Sequence, residues 1–133
     1  MRPAGQERVM EINFTDRELD VMAVLWERGQ ATVAEVRDAL DDELAYTTVL
    51  TVLRTLEEKG HVAHEEAGKA YRYFPLVERQ AAGTSALTRL VNKLYSGSPS
   101  LLLTHLVGDE RLTEDELRRI ARLLEERLKE EEP

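Results

Sequence analysis

Cysteine is absent from this 133-residue chain, which excludes disulfides, thiol catalysis and thiolate metal sites. Histidine is scarce: His61, His64 and His105 match no metal-ligand spacing, and His61 and His64 on one strand would point to opposite faces. No metal or cofactor is expected. No apolar run approaches the ~18 residues of a membrane-spanning helix, and no basic and apolar leader opens the sequence. A soluble, cytoplasmic protein without membrane insertion is expected. Positive charge is also short, with 18 Lys and Arg against 26 Asp and Glu for a net charge of -8. That argues against indiscriminate polyanion binding but leaves room for a specific DNA reader, because affinity depends on where the few cations sit. Weak non-specific binding and a need for a second half-site follow. A domain of about 60 to 70 residues is marginal unless it associates, so a dimer is expected.

What is present is a strong sequence of helix and strand signals. Residues 1–12 lack periodicity and read as a flexible arm. Phe14 precedes Thr15-Asp16-Arg17-Glu18, which has the form of a capping box with an apolar residue outside it. The first helix then runs from about Asp16 to Arg28, with Leu19, Met22, Ala23, Leu25 and Trp26 on its buried side and Gly29 as its stop. A second box, Thr32-Val33-Ala34-Glu35, opens a helix to about Leu40, and a third helix starts near Tyr46. After Gly60 the period becomes that of strands. Val62 to Glu66 alternate, Ala67-Gly68-Lys69 reads as a tight turn, and Ala70 to Phe74 form a second strand closed by Pro75. Helix-turn-helix followed by a two-stranded ribbon is the order of a winged helix.

The stretch YTTVLTVLRTLEEKG, from Tyr46 to Gly60, carries the functional signal. Val49, Val52, Leu53 and Leu56 share one helical face, whereas Thr47, Thr48, Thr51 and Arg54 fall largely elsewhere. So many β-branched residues make a helix that depends on packing more than on propensity. A helix fits the major groove, and threonine can donate to a base or meet a thymine methyl. Thr47, Thr48 and Thr51 are therefore candidate readers, with Arg54 reaching a base edge or the backbone. Tyr46 is either a phosphate contact or a packing ring. Lys59, Lys69 and Arg72 are candidate phosphate contacts, while Glu57 and Glu58 should point away from a duplex. Tyr71 and Tyr73 read as core or hinge packing on the wing.

From Glu78 the pattern is helical to the end. One helix from about Glu78 to Tyr95 carries Leu90 and Leu94, and a break at Ser96-Gly97-Ser98-Pro99 follows. A short helix to Val107 then contains Leu101, Leu102 and Leu106 and is apolar on most sides, so it either inserts between elements or meets a second chain. Thr113 to Glu116 form a third capping box before a last helix to about Lys129, striped by Leu117, Ile120, Leu124 and Leu128. These leucines and Ile120 are the expected dimer contacts. The fold class is thus mainly α with a small β wing: a winged helix-turn-helix at residues 13–77, a helical dimerisation domain at 78–129 and a flexible tail at 130–133.

Phe14 to Leu19, Val24-Leu25-Trp26, Thr32 to Val36, the Tyr46–Gly60 stretch, and Tyr71-Arg72-Tyr73 with Pro75 together resemble the penicillinase repressor and methicillin-resistance regulator family, which also includes copper-responsive repressors. The resemblance spans about Thr15 to Leu128. It implies a homodimeric, sequence-specific transcriptional repressor that binds an inverted-repeat operator in double-stranded DNA through its third helix, with the wing near the backbone. Many relatives carry a basic residue at the place of Thr55, whereas this chain has Arg54. In the antibiotic-responsive branch a regulatory protease cleaves the C-terminal domain. The matching segment, Leu103-Thr104-His105-Leu106, lacks the asparagine-phenylalanine pair of that branch, and the paired cysteines of copper-responsive members are missing. The releasing signal is therefore unidentified. The alternative is a winged-helix interaction or assembly module without specific DNA binding, which the acidic charge favours and the hydroxyl-rich helix opposes. An enzyme is disfavoured, since Glu18, Glu35 and Glu116 have capping roles and no nucleophile constellation is visible.

Overall fold

The computed structural model of the chain describes residues 12–132, so the expected arm falls outside the described residues except for Ile12, as does the last residue of the expected tail. The elements are α1 (Asp16–Arg28), β1 (Ala31–Thr32), α2 (Val33–Ala39), α3 (Tyr46–Glu58), β2 (Val62–Ala67), β3 (Ala70–Pro75), α4 (Arg79–Leu94), α5 (Pro99–Val107) and α6 (Glu114–Glu130). The fold is mainly α with a small β wing. Two compact units divide between Leu87 and Thr88.

In the first unit, three helices and a sheet enclose one core. Val21, Met22, Leu25, Val36, Val49, Leu53 and Leu56 are fully buried there, joined by Ala31, Val33, Val62 and Tyr73. The capping boxes at Thr15 and Thr32 both close: each threonine accepts from the third amide of its helix, and Glu18 and Glu35 accept from the threonine amides. The buried side of α1 is rotated from the expected one. Leu19 and Ala23 face outward, and Val21 and Glu18 are buried in their place. Polar Glu18 breaks the apolar pattern, and its partner Lys59 lies 41 positions away, beyond the reach of local periodicity.

The ribbon has a third strand. β1, only two residues long, pairs antiparallel with β3 through Ala31↔Tyr73 and Thr32↔Arg72, giving the order β1-β3-β2. Its two residues carry no alternation, so they read as a link in the sequence. Thr32 thus ends a strand and caps a helix at once. At the end of α3, Gly60 at φ +84° adopts the left-handed conformation, with its amide donating to the Glu57 carbonyl and the His61 amide to the Leu56 carbonyl. This is a Schellman closure, and it turns His61 inward, where it is 2% exposed against the Phe14 ring.

In the second unit, no residue of α5 or α6 is buried. Leu94, Leu101, Leu106, Leu117, Leu124 and Leu128 are all exposed, as is Leu90, whereas Leu102 and Ile120 are half-buried. Tyr95 Oη lies 2.7 Å from His105 Nδ1, and Asp109 is clasped by Arg111, whose hydrogen bonds hold its carboxyl below the usual range. No helix among the described residues is long and apolar enough to cross a membrane.

Candidate nucleic-acid interface

The two faces of α3 are cleanly divided. Val49, Leu53 and Leu56 anchor one in the core, and Thr47, Thr48, Thr51 and Arg54 are exposed on the other. Its start also differs from those of α1, α2 and α6, which have threonine caps and acidic first turns. The cap of α3 is Ala45, with no side-chain hydrogen bond and no acidic residue in the first turn. The positive end of that helix dipole is left available to an anion. Tyr46 stands there, 46% exposed.

Individual side chains differ in how free they are. Thr51 donates its hydroxyl proton to the Thr47 carbonyl at 2.9 Å, so its methyl group and remaining acceptor capacity face outward. Arg54 is exposed and enters no ion pair among the described residues. Lys69 is likewise exposed, on the turn between β2 and β3. Lys59 and Arg72 have partners inside the unit. The Lys59 ammonium donates to both oxygens of buried Glu18, at 2.8 and 2.9 Å. Burial pushes the Glu18 carboxyl up, but hydrogen bonds from Lys59 and the Thr15 amide outweigh it and leave it below the ordinary range. Desolvation, reinforced by the Lys59 charge, holds the His61 imidazolium pKa down. Arg72 donates to Glu35 at 3.1 Å, and the Thr32 amide is the main cause of a lowered Glu35 carboxyl.

Glu57 turns to the wing, where sequence reasoning assigned it no role beyond avoiding DNA. His64 Nδ1 lies 2.9 and 2.7 Å from its two oxygens. An ionised carboxylate only accepts, so Nδ1 carries the proton and donates. The His64 ring lies against Tyr71 at 4.5 Å and Tyr73 at 5.2 Å between centroids. Tyr73 is core, whereas Tyr71, expected in core or hinge packing, is 46% exposed, because its neighbour is the half-open His64. The strand signal located His64 on β2, but only the fold brings it to α3.

Acidic charge collects elsewhere. A cleft of about 430 Å³ is lined by Asp20, Glu27, Asp41 and Asp42 with Arg17, and by no residue of α3. Arg17 bridges to Asp42 at 2.8 Å.

The model of a protein family described as "Penicillinase repressor" matches residues 14–126. The "Transcriptional regulator BlaI" of Mycobacterium tuberculosis is 37% identical over 115 residues, covering 84% of this chain and 82% of that protein. The "Penicillinase repressor" of Bacillus licheniformis is 25% identical over 115 residues, covering 85% of this chain and 90% of that one. Among solved structures, a mutant MarR from E. coli complexed with operator DNA aligns with a TM-score of 0.52 at 17% identity, over 93% of this chain and 87% of that one. This last likeness concerns the fold alone.

Proposed function

The chain belongs to the penicillinase repressor family, and on that premise we propose that it is a cytoplasmic, homodimeric transcriptional repressor that binds an inverted-repeat operator in double-stranded DNA. The observation that carries the reading is the division of α3: an apolar face fixed in the core beneath an exposed face of Thr47, Thr48, Thr51 and Arg54, with an uncapped helix start. Side chains on such a face reach base edges in the major groove, while Tyr46 and Lys69 meet phosphates on either side. Lys59 and Arg72 contribute positive potential near the duplex, each tethered to a carboxylate.

Dimerisation answers the charge problem. One acidic module binds weakly, but two linked modules raise the effective concentration of the second contact without any new interaction. The exposed leucines of α4, α5 and α6 supply the surface, since monomers rarely leave so much apolar area open. Release requires a signal that weakens this association, and a regulatory protease is one such agent.

Selection of genomic fragments bound by the full-length protein, followed by sequencing, tests the reading. An enriched inverted repeat with half-sites about 10 bp apart, or a multiple of that, is expected. A bound pool indistinguishable from the input would overturn it.

A further inference from the structure

We propose that Glu57 and His64 are a positioning pair that holds the β2–β3 hairpin against α3 and so sets where Lys69 meets the DNA backbone. The proposal rests on the repressor reading and adds to it the determinant of the wing's placement.

Tyr46, Leu50, Arg54 and Glu57 succeed one another along one flank of α3, at spacings of four, four and three. That flank borders the reading face, with which it shares Arg54, and ends at Glu57 beside β2. The hairpin is held on its β3 side, where β3 pairs with β1 and Arg72 reaches Glu35, and β2 is the less anchored strand. Val62 is buried at the base of β2, but His64 to Ala67 are exposed, and on β3 Tyr73 is the one fully buried residue. Beyond Tyr73, the two bonds from His64 to Glu57 tie β2 to the helix. The register sets His64 opposite Tyr73, so the same imidazole that reaches Glu57 rests on the last core ring of the wing. The two side chains are 32% and 33% exposed, so the contact stands at the surface, where the hairpin meets the helix.

The arrangement joins two surfaces with separate tasks. Arg54, which faces bases, is three residues before Glu57, and Lys69 stands on the turn beyond His64. A rigid link between them fixes the distance from groove to phosphate, which is how preorganised contacts add affinity.

The test is a salt titration of full-length protein on the operator recovered by genomic selection. Each phosphate contact contributes about 0.9 to the slope of log affinity against log salt. Lys69→Ala should lower the slope by about 0.9 per copy and weaken binding about fivefold per copy at physiological salt. His64→Val should do the same without lowering the melting temperature, because valine suits a strand. Glu57→Ala should also weaken binding, whereas a merely solvated carboxylate would bind DNA more tightly once removed. Adding Lys69→Ala to His64→Val should cause no further loss. Wild-type slope in His64→Val, tighter binding by Glu57→Ala, or multiplied losses in the double variant would each overturn the proposal. Failure of the parent protein to bind any selected DNA would instead sink the repressor reading beneath it.

Discussion

The two units of this chain turn leucine and valine to opposite ends. In the first, eleven buried apolar residues from three helices and a sheet close a core. In the second, no residue of α5 or α6 is fully buried, although α5 alone contains Leu101, Leu102, Leu103, Leu106 and Val107. Apolar content does not by itself make a domain. Long-range closure does, because β1 and β3 bring residues some forty positions apart into contact in the first unit, whereas the second has only helices in series. A helix with apolar sides and no interior to face is stable when another surface covers it.

The second unit should be the more sensitive to a charge on its apolar face. Leu124→Glu, introduced in both copies of the proposed dimer, should raise the dimer dissociation constant about a thousandfold, equivalent to about 4 kcal/mol, through lost apolar burial and two poorly solvated carboxylates. Sedimentation at low protein concentration reads it directly. The first unit should keep its cooperative melting. An unchanged sedimentation distribution would mean that Leu124 serves no interface. Next in size is the converse change. Leu53→Ala, in the first core, should lower that unit's stability by about 3 kcal/mol, within the usual range for a buried leucine, and leave the association constant of the second unit unaltered. Denaturant unfolding followed at Trp26 reports it, because Trp26 lies beside the first core and the second unit has no tryptophan.

How far the sequence alone reaches follows the same division. Helix positions, the hairpin and two of the three capping boxes were legible because each is written in residues three or four apart, or in alternation; at the third, Thr113 accepts from the Glu116 amide without the reciprocal bond. β1 was not, being two residues long, and neither was the turn of α1 that hides Glu18. The candidate reading face of α3 could be listed, but the roles of its neighbours could not. Lys59 and Arg72 look like free cations in a row of letters, yet each finds a carboxylate on another element, and Glu57 finds His64. Such pairings depend on chain folding over distances that periodicity does not carry.

Acid should weaken the first unit's core. Glu18 has a depressed carboxyl in the folded state, so its contribution is present above the unfolded pKa and is lost as pH falls through the folded one. His61, whose folded pKa is also depressed, favours folding only while neutral, and its cost grows as pH drops below the ordinary imidazole range. Both act in one direction, and both lie in the first unit. Its stability should decline by about 2 kcal/mol as pH falls from 7 to below the ordinary carboxylate range, on the scale of a charge-assisted hydrogen bond and a buried titrating group. Glu18→Gln should flatten the lower part of that decline, and His61→Leu the upper part. A pH profile identical in the parent and both variants would place the acid-sensitive groups elsewhere.

The smallest effect concerns a single methyl group. Because the Thr51 hydroxyl donates to the Thr47 carbonyl, a base contact at this position should come from the side-chain methyl. Thr51→Val keeps that methyl and should bind the operator as the parent does. Thr51→Ser keeps the hydroxyl and should lose about 1 kcal/mol at each half-site, at the low end of a base-contact loss. On an isolated half-site that is about fivefold, and on the full inverted repeat the two losses add to about 2 kcal/mol, roughly thirtyfold. The ratio between the two probes therefore measures the second unit's work through a substitution in the first. Equal losses on half-site and full repeat would mean that only one copy engages DNA, and a stronger loss in Thr51→Val than in Thr51→Ser would mean that the hydroxyl oxygen reads a base.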